Sequence, residues 1–232
     1  MPVTAGPIYP GIKDGLIFAI DPANKDSWVG PTSDTVNNLP TYNSNATGSI
    51  FNDTSGSYGD NESFGFDGID DRILLNNDSS MDIFGGDFSI SLWFSRPSSP
   101  ANGSARAIVE MGGFSNKAAM SLGFTSNTGV GFAVGSNWYT NAGSGYNDGN
   151  FHHMVGTRTD TTYKIYIDGG EVEASVPAGS YSYFSDVGNS IGKGSFGGNF
   201  KGNIGPILFY NRVLSPSEVT QNYNRVKGRF GL

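Results

Sequence analysis

The chain contains no cysteine, so disulfide bonds and thiolate metal ligands are excluded. Charged residues make up only 15% of it, and it has only two histidines and five glutamates. No apolar run approaches the length of a membrane span, and residues 1–10 have neither the charged nor the apolar region of a signal peptide. We therefore expect a protein that is neither exported nor inserted into a membrane.

Basic patches are missing as well. The 14 lysines and arginines are outnumbered by 21 acidic residues, for a net charge of −7, and they form no stripe along the sequence. A protein that binds nucleic acid needs a concentrated positive surface to meet the phosphates. The charge pattern therefore argues against a nucleic-acid partner.

Glycine and aromatic residues are what the chain has in abundance. The 34 glycines and 11 prolines exceed ordinary usage, while 16 Phe, 11 Tyr and 3 Trp supply more large apolar surface than a disordered chain carries. Each such side chain contributes roughly 1.5–3 kcal/mol when fully buried, so a large core can offset the entropy lost on folding. We expect the chain to fold without disulfides or other external staples.

Short alternating or apolar runs, separated by turn residues, predict an all-β sandwich. In residues 88–94, large apolar side chains alternate with Ser89, Ser91 and Trp93, which is typical of a half-buried antiparallel strand. The remaining predicted strands are 15–20, 63–66, 71–75, 106–111, 119–124, 129–134, 151–158, 163–168, 171–175, 190–192 and 203–210.

Two local signals are sharper than the strand pattern. Asp168 and Gly169 favour the positive φ angles of a two-residue hairpin turn. Ser215, Pro216 and Glu218 form a helix N-cap, a first-turn proline and a capping box, which predict one short C-terminal helix. We expect Val219, Tyr223 and Val226 on the packed face of this helix and its end at Gly228.

The order of these segments predicts a simple organisation. Residues 1–14 have three prolines and two glycines and read as an extended arm, 15–214 as the sandwich, and 215–232 as the helix and a tail packed on it. Residues 21–59 are rich in Asn, Ser, Thr, Pro and Gly, so we expect a long loop with at most short strands.

Five segments in order resemble the laminin-G-like, concanavalin-A-type jelly-roll superfamily. The resemblance spans about residues 15–214 and implies a two-sheet antiparallel jelly-roll sandwich. The matching segments are 15–21 (GLIFAID), 66–73 (FDGIDDRI), 88–94 (FSISLWF), 151–155 (FHHMV) and 164–169 (KIYIDG).

The C-terminal part of the chain resembles a narrower group within this superfamily. Residues 202–215 (GNIGPILFYNRVLS), continuing to 231, resemble the end of such domains in structural proteins of tailed phages, especially those of marine cyanobacteria. The resemblance implies a virion component assembled in the host cytoplasm, as a fibre, an appendage or a capsid decoration. Its partners would be other virion proteins, further copies of itself and a host-surface glycan.

The superfamily also contains glycoside hydrolases and lyases, which carry paired carboxylates. Glu171 and Glu173 are the only closely spaced glutamates, and they follow a turn without the further acids that hydrolases of this fold show. We interpret them as solvated hairpin charges. His152 and His153 are adjacent on a predicted strand, so their side chains point to opposite faces and are poorly placed to bind one metal ion together. We interpret both as structural residues. We expect no enzymatic activity.

Calcium is the cofactor to consider, because Asp and Asn oxygens are abundant and members of the superfamily often bind one such ion. Asp21, Asp70 and Asp71 are the candidate ligands. A second interpretation stays open: acids beside glycine form turns by capping their own backbone. One ligand position of the relatives is also missing, because Gly205 and Pro206 stand where many have an acid.

Aromatic rings flanked by amides and carboxylates suit sugar binding, because a ring packs on a sugar face while polar groups reach its hydroxyls. We expect such a loop around residues 137–148, unless these rings close the sandwich edge or contact a neighbouring subunit. The candidate ligand-binding residues are Trp138, Tyr139, Asn141, Tyr146, Asn147 and Asp148.

The leading hypothesis is a non-enzymatic virion structural protein with a lectin-like jelly roll, which serves particle assembly and host-glycan recognition. The alternatives are a free carbohydrate-binding module and, less favoured, a glycoside hydrolase.

Overall fold

The computed structural model describes residues 11–27, 35–37, 39, 47–51, 58–59, 63–75, 86–98, 106–111, 120–124, 129–134, 137–159, 162–175, 189–194 and 198–232. These residues form β-strands and one α-helix near the C-terminus, α1 (Pro216–Val226). The strands are β1 (Leu16–Ile20), β2 (Thr35–Asn37), β3 (Thr47–Phe51), β4 (Tyr58–Gly59), β5 (Ser63–Asp67), β6 (Arg72–Leu74), β7 (Phe88–Ser95), β8 (Arg106–Met111), β9 (Met120–Phe124), β10 (Gly129–Val134), β11 (Asn137–Ser144), β12 (Phe151–Thr159), β13 (Thr162–Ile167), β14 (Gly170–Ser175), β15 (Ser190–Ile191), β16 (Lys193–Gly194), β17 (Gly198–Asn199) and β18 (Lys201–Tyr210).

The described strands form two large sheets and one small ribbon. The front sheet has the order β14-β13-β12-β7-β18-β5-β4, and β1 also pairs with β18. The back sheet has the order β11-β10-β9-β8-β15-β6-β3-β2, and β16 and β17 form a small ribbon. The described strand pairs are antiparallel. The predicted all-β antiparallel sandwich with one short C-terminal helix is confirmed.

The core lies between the sheets because alternate residues of each strand point the same way. Strand β7 contributes Phe88 and Phe94, which meet Phe132 and Phe124 of the back sheet at ring-centre distances of 6.1 and 5.5 Å. Gly156 on β12 leaves room for this packing, since a Cβ there would lie 2.7 Å from the Phe132 ring. The large apolar residues of 88–94 therefore face the core as predicted.

The opposite face of β7 is buried too, so the prediction of a half-buried strand is wrong. All eight residues of β7 are buried. The reason is the C-terminal segment, which covers the outer face of the front sheet. The Trp93 ring stacks on Tyr223 at 5.6 Å and contacts Phe230 at 4.9 Å, while Ser89 Oγ accepts the Leu214 N–H at 2.8 Å.

The predicted capping box is present at the start of α1. Ser215 accepts the backbone N–H of Glu218, and the Glu218 carboxylate accepts the N–H of Ser215 at 2.8 Å. Glu218 also forms a bidentate pair with Arg212 at 2.7 and 3.0 Å. This pairing, followed by the Ser215 hydrogen bonds, lowers the pKa of Glu218 to about 2.

The C-terminal end of the helix differs from the prediction. α1 ends at Val226 and passes into a 3₁₀ turn, Lys227–Phe230, so Gly228 lies inside that turn. The left-handed residue that ends the segment is Gly231, with φ 78°. The turn brings Phe230 onto Phe151, with ring centres 4.0 Å apart.

The predicted hairpin turn is confirmed. Asp168 and Gly169 have φ angles of 51° and 84°, and Ile167 pairs with Gly170, so two residues connect β13 to β14. Positive φ at both positions matches the twist of the flanking strands. Gly169 also admits the helix, because a Cβ there would lie 3.1 Å from the Tyr223 ring.

Residues 21–59 and 137–141 were both predicted as loops, and only the first prediction agrees with the structure. The short strands β2, β3 and β4 agree with the prediction for 21–59 of a loop carrying short strands at most. Residues 137–141 were predicted as a loop, which is wrong: they belong to β11, which pairs with β10. The prediction rested on aromatic rings flanked by amides, a pattern that says nothing about pairing with a neighbouring strand.

The described part of the predicted arm packs on its own sandwich. Tyr210 donates a hydrogen bond to the Ile12 carbonyl at 3.3 Å, and Asp14 pairs with Arg212 at 2.9 Å. Residues 1–10 lie outside the described residues. The described residues contain no helix that is long and apolar enough to cross a membrane.

Candidate functional site

An acidic loop connects β5 to β6. Residues 67–71, named here the acidic loop, carry Asp67, Asp70 and Asp71, and each offers a carboxylate oxygen within 4.8 Å of the others. The loop is held by its own acids: Asp67 accepts the Ile69 N–H at 2.6 Å, and Asp71 accepts the Asp67 N–H at 2.7 Å. These hydrogen bonds agree with the interpretation of the acids as turn formers. The same carboxylates still have oxygen atoms that can bind a ligand.

Asp71 is the buried member of this cluster. It is 3% exposed, and its Oδ1 atom is buried with no hydrogen-bond partner. Burial raises the pKa of Asp71, the Asp67 N–H opposes this, and the charges of Asp67 and Asp70 raise the pKa further. Burial in the loop therefore disfavours the charged form of the Asp71 carboxyl.

A polar cleft of about 300 Å³ opens beside the acidic loop. Strand β18 forms one wall, where Lys201 pairs with Asp67 across the β5–β18 ladder. Asn203 donates to the Ser95 hydroxyl at 3.2 Å on the same side. The complete lining is Gly65, Phe66, Asp67, Asp71, Ser95, Pro97, Gly149, Lys201, Gly202 and Asn203.

Gly202 makes the close approach of β18 to β7 possible. Its φ is 147°, and a Cβ on it would lie 2.1 Å from the Ser95 carbonyl oxygen. No side chain fits at position 202, so Gly202 contributes only backbone atoms to the cleft.

The 145–150 loop reaches the cleft through Gly149, whose N–H donates to the Arg96 carbonyl at 2.8 Å. Three predicted ligand-binding residues lie here, and each one anchors the loop. Tyr146 donates to the Ala142 carbonyl at 3.2 Å, and Asn147 donates to the Ser98 carbonyl at 3.3 Å. Asp148 accepts the Asn150 N–H at 2.8 Å.

His152 ties this loop to the β13–β14 turn. Its ring donates to Asp168 at 2.9 Å and contacts Asp148 at 3.2 Å, and it lies edge-on to Tyr146. Burial opposes the charged form, but the hydrogen bonds and charges of Asp168 and Asp148 outweigh it and raise the pKa of His152. His153 faces the other way, and its burial lowers its pKa to about 3.

The remaining predicted site residues lie elsewhere. Trp138, Tyr139 and Asn141 belong to β11, and their side chains are outside the described residues. Asp21 is 2% exposed and accepts a 2.6 Å hydrogen bond from Arg229, so the structure does not bring it to Asp70 and Asp71. The binding roles of these residues stay predictions.

Sequence reasoning missed several cleft residues. Lys201, Asn203 and Ser95 carry no motif, and they reach the acidic loop only because β18 pairs with both β5 and β7. Asp67 was seen as a turn former and omitted from the candidate ligands. The signal available for it was its position next to Gly68 and within four residues of Asp70 and Asp71.

A calcium ion is the group that the fold implies, and the acidic loop fits it better than the predicted set. Asp67, Asp70 and Asp71 supply hard oxygen ligands from one short loop, and Asp71 has an oxygen without a partner. Asp21 is not part of this group of acids, and its Oδ1 is paired with Arg229 at 2.6 Å.

The sandwich of two antiparallel sheets is consistent with a concanavalin-A-like jelly roll. The sequence model of the laminin G family described as the concanavalin A-like lectin/glucanases superfamily matches residues 67–220. The chain therefore belongs to this superfamily. Comparison with curated protein sequences finds no match.

Solved structures with the same fold come from larger proteins and from an isolated domain. Trypanosoma rangeli sialidase in complex with the inhibitor DANA matches with a TM-score of 0.67 and 15% identity, over 94% of this chain and 35% of the sialidase. The binding domain of botulinum neurotoxin DC in complex with SialylT matches at 0.60 and 16%, over 91% and 51%. Domain 4 of an arabinanase from Geobacillus stearothermophilus, in complex with arabinotriose, matches at 0.58 and 17%, over 91% and 100%. The chain thus spans about a third of the sialidase and half of the toxin domain, and these identities bear on the fold alone.

Proposed function

We propose that this chain is a non-catalytic glycan-binding domain and that the polar cleft receives the glycan. The observation that carries the proposal is the grouping of a carboxylate, an ammonium group and an amide around one opening, at Asp67, Lys201 and Asn203. Sugar hydroxyls both donate and accept hydrogen bonds. A carboxylate accepts, an ammonium group donates, and an amide does both.

The dimensions of the cleft agree with a short glycan unit. Its volume of about 300 Å³ is at the lower end of the range for small-molecule sites, roughly 300–1,000 Å³. Pro97 and the buried Phe66 supply the apolar part of its lining, and Gly149 and Gly202 supply backbone. An apolar surface bordered by hydrogen-bonding groups suits a sugar, which has an apolar ring face and polar hydroxyl groups.

The structural neighbours support the same ligand class. Two of them are a toxin binding domain in complex with SialylT and an arabinanase domain in complex with arabinotriose. The arabinanase domain is matched along its whole length, so a domain of this size and fold has a sugar bound to it. This match also favours the second candidate, a free carbohydrate-binding module.

The absence of catalysis is part of the proposal. Glu171 is engaged with Lys164 at 3.1 Å on the hairpin surface, as expected for a solvated charge. The acids of the cleft, Asp67 and Asp71, belong to one short loop, where each accepts a backbone N–H.

The wider setting that we propose is a virion: a structural protein of a tailed phage, assembled in the host cytoplasm, that contacts its own copies and other virion proteins. The resemblance of residues 202–231 to phage structural proteins supports it. Light scattering on the full chain, with and without residues 1–10, tests it. An oligomer that dissociates without these residues supports assembly, whereas a monomer in both cases favours the free module.

Glycan binding is tested by array screening followed by calorimetry on the best glycan. We expect Lys201→Ala to weaken binding at least about tenfold, because the main cationic donor of the cleft is lost. Lys164→Ala is the matched control: it removes a lysine paired with Glu171 on the hairpin and should leave affinity unchanged.

Three outcomes would change the proposal. If no glycan binds, the function is wrong. If Trp138→Ala abolishes binding and Lys201→Ala does not, the glycan lies at β11 and the cleft is wrong. Release of reducing ends that Glu171→Gln abolishes would establish the hydrolase instead.

A further inference from the structure

One histidine ring lies between two carboxylates from different parts of the fold. His152 Nδ1 is 2.9 Å from Asp168 Oδ2 in the β13–β14 turn, and His152 Nε2 is 3.2 Å from Asp148 Oδ1 in the 145–150 loop. The His152 side chain is only 14% exposed. Both polar atoms of this largely buried ring therefore face a hydrogen-bond acceptor.

Only the protonated ring can satisfy both acceptors. An imidazolium has two N–H donors, whereas a neutral imidazole has one donor and one lone pair. In the neutral ring, the lone pair of one nitrogen would face a carboxylate oxygen, and that contact would become repulsive. Asp168 holds the shorter contact, and its second oxygen, Oδ1, accepts the His153 N–H at 2.9 Å. The longer contact, to Asp148, is therefore the one that the neutral ring loses.

The other described groups around the ring add no positive charge. Tyr146 lies edge-on to it at 5.2 Å between ring centres, and Phe94 of β7 lies at 5.9 Å. Burial, followed by the charge of Asp168, raises the pKa of Tyr146 and of Tyr223 on α1, so both hydroxyls stay neutral at neutral pH. The charged groups that face the ring are thus the two acids, and although burial opposes a charged ring, the pKa of His152 is raised.

Asp148 belongs to the loop that forms part of the polar cleft. The next residue, Gly149, lines the cleft and donates its N–H to the Arg96 carbonyl at 2.8 Å. Gly145 and Gly149 have φ angles of 109° and 88°, and nothing lies within 4 Å of a Cβ placed on either of them. Open space beside both glycines leaves this loop room to change position. The contact between His152 and Asp148 therefore bears directly on the shape of the cleft.

We propose that His152 is a proton-dependent switch for the polar cleft: the protonated ring holds Asp148 and keeps Gly149 in the cleft wall, and the neutral ring releases this contact. As regulation of the same cleft, the switch rests on the proposed function. The protonated form prevails below the pKa of the folded chain, so a glycan that needs the ordered loop should bind more tightly there. Because the Asp148 side chain is 42% exposed, we expect the affinity to fall about threefold as the pH rises, the effect of a partly exposed ion pair.

The switch itself is tested without a glycan, by NMR titration of the isotope-labelled full chain from about pH 5.5 to about pH 9. The amide signals of Gly149 and Asn150 should shift with one midpoint above 6.5, because Asp148 accepts the Asn150 N–H at 2.8 Å. His152→Gln should remove this midpoint. Asp148→Asn keeps an oxygen for the Asn150 N–H but loses the charge, so the His152 midpoint should fall. The control Asp14→Asn, which removes an exposed acid in another ion pair, should keep the parental midpoint.

Calorimetry at about pH 6 and about pH 8.5, with the neutral oligosaccharide that binds best on the array, then tests the effect on the cleft. The parent should lose about threefold in affinity between these values, and His152→Gln should show no such loss. Loop amides that do not titrate, or that titrate equally in His152→Gln, overturn the switch whether or not a glycan binds. Equal affinity at both pH values while the loop titrates overturns its control of the cleft. A titrating loop with no glycan bound at either pH refutes the proposed function and leaves the switch in place.

Discussion

Acidification should destabilise this protein through one buried histidine. His153 is 0% exposed on the outer face of the front sheet, where its ring lies 5.1 Å from Trp93. Its Nε2 shares a hydrogen bond of 2.8 Å with Ser91 Oγ, and its Nδ1 is buried without a partner. A protonated ring would place an additional charge in this apolar environment, which explains why burial lowers its pKa to about 3.

The sign and size of the effect follow from the two pKa values. The unfolded chain takes up a proton near the ordinary pKa of 6.5, whereas the folded chain resists it down to about 3. Stability from this group is therefore complete above 6.5 and is lost progressively as the pH falls towards 3. At pH 5, about one and a half units below 6.5, the loss is about 2 kcal/mol at 1.36 kcal/mol per unit.

The assay is urea unfolding of the parent and of His153→Gln at about pH 7.5 and pH 5. Glutamine is neutral at both values, so the parent should lose about 2 kcal/mol more than the variant between them. The variant loses packing against Trp93 and is expected to be less stable at pH 7.5, but the difference in pH dependence is the readout. Equal losses in the two proteins would refute the reasoning.

Two further predictions concern the loop and the wall of the cleft. Because the pKa of His152 is raised in the folded chain, the stability that this group contributes is complete below pH 6.5 and is lost as the pH rises through the folded pKa. His152→Gln should therefore abolish the fall in unfolding free energy as the pH rises above about 6.5. A parent and a variant with the same pH dependence in urea unfolding would contradict this. Gly202→Ala should lower the unfolding free energy by at least about 2 kcal/mol, because its Cβ would lie 2.1 Å from the Ser95 oxygen at a positive φ. Gly86→Ala, with nothing within 4 Å, should stay within about 0.5 kcal/mol in the same denaturation measurement, and a Gly202→Ala as stable as this control would contradict the close approach.

Local signals in the sequence were reliable where neighbours in the chain decide the outcome. Alternation in residues 88–94 indicated the inward face of β7, and the Asp168–Gly169 dipeptide indicated a tight hairpin. The capping box at Ser215 and Glu218 predicted the start of α1. Each of these features depends on φ, ψ or hydrogen bonds within a few residues, which a single sequence displays directly.

Predictions failed where a distant segment decides the outcome. Nothing in residues 88–94 shows that Trp93 is covered by Tyr223 and Phe230, so the strand looked half-buried. Nothing near residue 137 shows that β10 and β11 pair, so polar residues there looked like a loop. Burial and strand pairing are properties of the packed chain, which a local pattern cannot reveal.

The sequence by itself determined that the chain is an antiparallel sandwich with one capped helix and that acids gather at 67–71, because alternation, turn chemistry and capping act over short distances. Only the tertiary structure decided which acids belong together. Arg229 takes Asp21 away from the predicted ligand set, while strand pairing brings Lys201 and Asn203 to the cleft beside Asp67. These contacts join residues far apart in the chain, and their partners are chosen by the packing of the two sheets.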